Sequence, residues 1–127
     1  MRLVSEKTLN YFRARPCEFC GRAPRSQAAH RLTKGIGGGS RIDHPWNLCS
    51  LCFECHTKHH NGQHPTAELM LNMIAKREKI DVNQIEKEMY YIAALPKGAK
   101  YDWNRIPANN LVHKNQSRFL LSSPASD

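Results

Sequence analysis

The chain has 127 residues, with 19 lysines and arginines against 11 acidic residues, for a formal charge of +8. That length holds one domain with a modest core, and small cores often depend on a metal or on disulfides. No apolar run approaches the ~18 residues of a membrane span, and the N-terminus MRLVSEKTLN lacks the apolar block of a secretory signal. The expectation is a soluble, cytoplasmic protein with no membrane partner.

In chain order, SEKTLNYFRAR predicts a short helix, with Ser5 as N-cap, Leu9, Tyr11 and Phe12 as apolar contacts and Pro16 as its stop. CEFCG reads as a knuckle turn in which Gly21 permits the tight backbone. SQAAHRL predicts a strand ending near His30, followed by the loop TKGIGGGSRIDHPW with four glycines between Gly35 and Gly39. NLCSL alternates as a strand does, and FECHTKHH predicts one to two helical turns ended by Asn61-Gly62.

The second half reads as two helices. Thr66 caps one running through Ile80, with Ala67, Met70, Leu71 and Ile74 on one face. Asp81 with Gln84 resembles a capping box for the next, which buries Val82, Ile85, Met89 and Ile92 and stops at Pro96. The expected organisation is a metal-stabilised core over 1–64, a helical hairpin over 65–95 and an extended tail over 96–127. The fold class is α+β.

Four of the five cysteines form C-x2-C-x31-C-x2-C, using Cys17, Cys20, Cys52 and Cys55. Two knuckles of this spacing offer four thiolates at tetrahedral angles, the donor set that selects Zn2+. With no open coordination position, such a zinc is structural. The alternative gives one thiolate's place to His56 or to Cys49. Otherwise Cys49 reads as a small buried apolar residue.

His56 and His60 lie four apart on a predicted helix, so both imidazoles share one face. Two histidines leave a divalent ion with positions open to water and phosphate. The bland alternative is a histidine pair on a basic surface. The charge is uneven, +6 over residues 1–64 and +2 over 65–127, and a basic half suits a phosphate backbone. It also serves solubility. His44 and His64, each beside a proline, read as surface residues. Trp46 and Trp103 are candidates to stack on bases, with Trp46, beside Asn47, reading more as core. The glycine-rich loop lacks the Lys-Ser/Thr ending of a P-loop.

The residues AAH with His30, NLCSLC with Asn47 and CHTKHH with His56 together resemble the HNH endonucleases of zinc-knuckle type, common in phages and mobile elements. The match covers residues 17–62. The resemblance implies a ββα-metal core and hydrolysis of DNA phosphodiester bonds. It implies His30 as general base, Asn47 as the residue that fixes the loop and orients His30, and His56 as a metal ligand. His60 matches a further ligand. The implied catalytic ion is Mg2+, Mn2+ or another divalent ion. Arg31, Lys34, Arg41 and Lys58 are candidate phosphate contacts.

One position departs from the family. Many members carry Asp or His before the base, where this chain has Ala29. Either waters complete the site, or Asp43, His44 or His59 does, or the site has decayed. Two other functions therefore stand beside the nuclease: a non-catalytic zinc-stabilised nucleic-acid-binding module, and a purely structural zinc domain. One ββα unit nicks a single strand, so a homodimer or two successive nicks would be needed for a double-strand break.

Overall fold

A computed structural model describes residues 3–22, 25–32 and 41–106. The glycine-rich part of the loop, with Lys34, and the expected tail beyond residue 106 lie outside the described residues. The fold is α+β: helix α1 (Glu6–Arg13), strand β1 (Gln27–His30), strand β2 (Leu48–Leu51), and helices α2 (Phe53–His60), α3 (Ala67–Glu78) and α4 (Val82–Ala93). β1 and β2 pair antiparallel, and α2 follows β2 after one residue, which makes a ββα unit.

The caps fall where the side-chain chemistry puts them. Ser5, Thr66 and Asp81 each accept a hydrogen bond from a backbone N–H in the first turn of the helix that follows. Gly21 and Gly62 both adopt positive φ, after the first knuckle and after α2. α3 stops at Glu78, two residues short of the expected end. Lys79 takes a left-handed conformation (φ 57°), and Ile80 N–H turns back to the Ala75 carbonyl. This is a C-terminal motif that satisfies a helix carbonyl without glycine.

The alternation in NLCSL is real, yet all four residues of β2 are buried. Cys49 and Leu51 face the main core, which also holds Met70, Ile74, Ile85, Met89 and Ile92. Leu48 faces α1 through Leu9 and Phe12, and Ser50 on the same side donates to the Phe12 carbonyl at 2.7 Å. The Leu48 and Ser50 face is covered by α1, so a period-2 pattern marks two interiors rather than an inside and an outside.

α3 and α4 belong to that same core. Arg77 fastens α3 to the hairpin: its guanidinium donates to Glu18, Glu78 and the carbonyls of Leu48 and Pro45, and lies over the Phe12 ring. Glu18 in turn accepts from Ser50 N–H at 2.6 Å. The first knuckle, β2 and α3 thus meet at one buried carboxylate.

Residues 97–106 are not an extended tail. Tyr101 and Ile106 are buried, and the segment docks through His44. His44, expected at the surface, is fully buried. Its Nδ1 accepts from Trp46 N–H at 3.0 Å, so the proton sits on Nε2, which faces the Tyr101 hydroxyl at 3.2 Å. Tyr101 donates onward to Glu88, which Arg105 holds with two bonds. Trp103 stacks on the His44 ring at 5.2 Å between centroids. Burial pushes the His44 imidazole down to about 3, with the Arg77 charge adding to the effect.

Candidate functional site

Both sets of candidate ligands converge on α2. At its N-terminus, the sulfurs of Cys17, Cys20, Cys52 and Cys55 lie within 4.8 Å of one another. Cys20 Sγ and Cys52 Sγ are 3.7 Å apart. Zinc–sulfur bonds of ~2.3 Å at tetrahedral angles put two sulfurs about 3.8 Å apart, so the spacing fits the ion. Each knuckle adds an N–H to sulfur contact: Cys20 N–H to Cys17 Sγ at 3.4 Å, and Cys55 N–H to Cys52 Sγ at 3.5 Å. The second of these also makes Cys52 the N-cap of α2.

Burial alone raises the Cys17 thiol, but backbone N–H groups near Cys20, Cys52 and Phe19 outweigh it and bring it down to about 7. Burial and its thiol neighbours push Cys55 up. A divalent cation at the centre reverses the second effect and deprotonates the set. Cys49 is fully buried away from this group, and burial pushes its thiol up to about 12, so it packs as an apolar residue.

One turn further along α2, His56 Nε2 and His60 Nε2 are 3.0 Å apart. The other nitrogen of His56, Nδ1, meets Gln27 Oε1 at 2.5 Å. An amide oxygen only accepts, so Nδ1 carries the proton and Nε2 presents its lone pair. That is the arrangement of a metal-binding imidazole with its far nitrogen fixed. Two nitrogens bound at ~2.1 Å and a right angle lie about 3.0 Å apart. Burial first, then the nearby His60, His59 and His30, lower His56 to about 4, which keeps it neutral as a ligand must be.

His30 ends β1. The pleat turns it with Leu48 toward the α1 side, while Ala29 goes with Cys49 into the core and is fully buried. The His30 side chain is 22% exposed, and its Nε2 lies 2.7 Å from Asp43 Oδ1. Burial opposes charge on Asp43. Hydrogen bonds from His30, Arg41 and Ser5 N–H outweigh that and hold its carboxyl below the usual range. An ionised carboxylate accepts only, so His30 Nε2 is the protonated nitrogen and Nδ1 carries the lone pair. The sequence offers Asp43 only as a metal ligand. Its contact with His30 spans 13 residues of loop, which spacing alone does not reveal.

Asn47 is a staple. Its Nδ2 donates to the carbonyls of Leu32 (3.2 Å) and Ile42 (3.0 Å), and its Oδ1 accepts from Leu32 N–H (3.0 Å). It therefore clamps both sides of the inter-strand loop two residues beyond His30.

The other candidates separate. His59 Nδ1 donates to the Pro65 carbonyl, His44 is in the core, and Asp43 is held by His30 and Arg41. None of the three joins His56 and His60. Among the described residues, the four cysteines are the one group of three or more His, Cys, Asp or Glu donors close enough for a shared ion. Arg31 is turned inward onto Glu86 at 2.5 Å, and Arg41 grips Asp43 with two bonds. Lys58 is exposed on α2.

No family model, curated protein or solved structure matches the chain. What it can do chemically is therefore read from the site. Among the described residues no helix is long and apolar enough to cross a membrane.

Proposed function

We propose that this chain is a metal-dependent DNA endonuclease of the HNH type, with a structural zinc on Cys17, Cys20, Cys52 and Cys55. The observation that carries the reading is the His56–His60 pair: two nitrogens 3.0 Å apart, one of them fixed by Gln27 on the strand that ends in His30. His56 and His60 would hold the divalent ion, Mg2+ or Mn2+, which would supply the positive charge that polarises a scissile phosphate and stabilises a leaving 3′ oxygen. His30 Nδ1 takes the proton of the attacking water. Asp43 holds the opposite nitrogen, which keeps the tautomer and stabilises the imidazolium as it forms. Asn47 keeps the backbone after His30 in place.

A second reading, a zinc-stabilised nucleic-acid-binding module without catalysis, is favoured by Ala29. Its side chain is buried and offers no ligand. Supercoiled plasmid separates the two. The nuclease nicks it in Mg2+ or Mn2+, and His30→Ala slows nicking by ~10²–10⁴-fold with fold and zinc content unchanged. Equal cleavage by both proteins removes His30 as the base. DNA binding without cleavage by the zinc-loaded wild type selects the second reading.

A further inference from the structure

An open groove of about 810 Å3 lies between α1 and β1, and its lining includes Asn10, Arg13, Arg25, Ser26 and Gln27. Among the described residues no acidic one lines it. The end of α1 is tied to the start of β1 by Ser26 N–H donating to the Arg13 carbonyl at 3.1 Å, so the two walls are fixed. Among the described residues Arg25 has no carboxylate partner. Arg13 uses a single nitrogen, NH1, on Glu6 and Asn10. Its ion pair is exposed and therefore weak, and the rest of the guanidinium is available to a stronger acceptor. Among the described residues Ser26 Oγ has no hydrogen-bond partner, an unmet polar group at the groove wall.

Gln27 lines the groove and also bonds His56, so one residue of β1 links the groove to the histidine pair. The arginines expected from the sequence to meet phosphate are largely committed elsewhere: Arg31 to Glu86 and Arg41 to Asp43. We infer that the α1–β1 groove is the track for the DNA backbone flanking the scissile phosphate, with Arg13 and Arg25 as its phosphate contacts. This rests on the nucleic-acid half of the proposed function and is independent of cleavage.

The test is binding of a fluorescent duplex oligonucleotide, without added divalent ion, across a salt series. Each phosphate contact contributes about 1 to the slope of log K against log salt. Arg13→Ala with Arg25→Ala is expected to weaken binding uniformly across sequences and flatten the slope by about 2. Arg22→Ala, which removes an exposed arginine paired with Glu54 outside the groove, is expected to leave the slope unchanged. Far-ultraviolet circular dichroism and zinc content check that the variants fold. Wild-type affinity and slope in the double variant overturn the groove, as does failure of the wild type to bind duplex DNA. If His30-dependent nicking persists while the double variant binds normally, the nuclease stands and the groove falls. If binding depends on the groove but nothing is cut, the groove stands and catalysis falls.

Discussion

The two ends of α2 carry donor groups of opposite character, and only the first is a cluster of four. The N-terminal group has four sulfurs from two knuckles, mostly buried and spaced to enclose one ion. The C-terminal set has two nitrogens from one helix face, braced by a single amide, and leaves positions open. Both use the same eight-residue helix. The difference lies in how many chain segments converge: two knuckles 31 residues apart satisfy a tetrahedral ion, whereas one helix face supplies a pair. Closure makes a structural joint, and openness is what a reacting phosphate and water need.

The largest expected effect breaks the closed end. Cys52→Ala removes a sulfur and the N-cap of α2 together. Zinc contributes ~10–16 kcal/mol in small zinc-dependent peptides, about the whole stability of a domain. Loss of zinc and of cooperative unfolding, read by metal analysis and circular dichroism, is the expected outcome. A folded Cys52→Ala variant would show that the core beneath the knuckles suffices alone.

Acid probes the scaffold on which both ends rest. The His44 imidazole is pushed below its unfolded value of ~6.5, to about 3. The unfolded chain therefore binds more protons between those values. The stability this neutral histidine contributes is complete above pH ~6.5 and is lost as pH falls toward 3, by on the order of 4 kcal/mol. Urea unfolding at stepped pH should show that slope. His44→Gln keeps an acceptor and a donor without titrating, so it should flatten it. An unchanged slope in His44→Gln would assign acid sensitivity to the thiolates instead.

A smaller effect sharpens the open end. Gln27→Ala frees His56 Nδ1 while leaving the exposed start of β1 otherwise intact. The expected result is ~10–100-fold weaker Mn2+ binding at the histidine pair, by calorimetry on zinc-loaded protein, with zinc retained. Unchanged affinity would mean that Gln27 does not brace the ligand.

Much of this was legible from local pattern. Ser5, Thr66 and Asp81 cap the helices that their neighbours form, and the cysteine spacing announces the sulfur cluster. Asn47 bonds Leu32 and Ile42 on the two sides of the loop, and its part in catalysis belongs to the proposed function. What local pattern leaves out here has one cause. His44 looked like a surface residue because its proline and loop are local facts, while the Tyr101 hydroxyl that accepts it lies 57 residues away. Arg77 sits on a helix whose pattern leaves it polar, yet its charge is buried among Glu18, Glu78 and two carbonyls.

The helices, the strand pair, the sulfur cluster and the two-histidine helix face follow from local chemistry, because periodicity, caps and ligand spacing act over a few residues or through one coordination sphere. Long-range packing sets the rest: α1 covers the second face of β2, Asp43 fixes the His30 tautomer, residues 101–106 lock onto His44, and Arg31 turns inward while Arg13 and Arg25 face a groove. Those outcomes depend on which distant polar group reaches a buried one first. Burial makes each such pairing obligatory, and no local pattern encodes the partner.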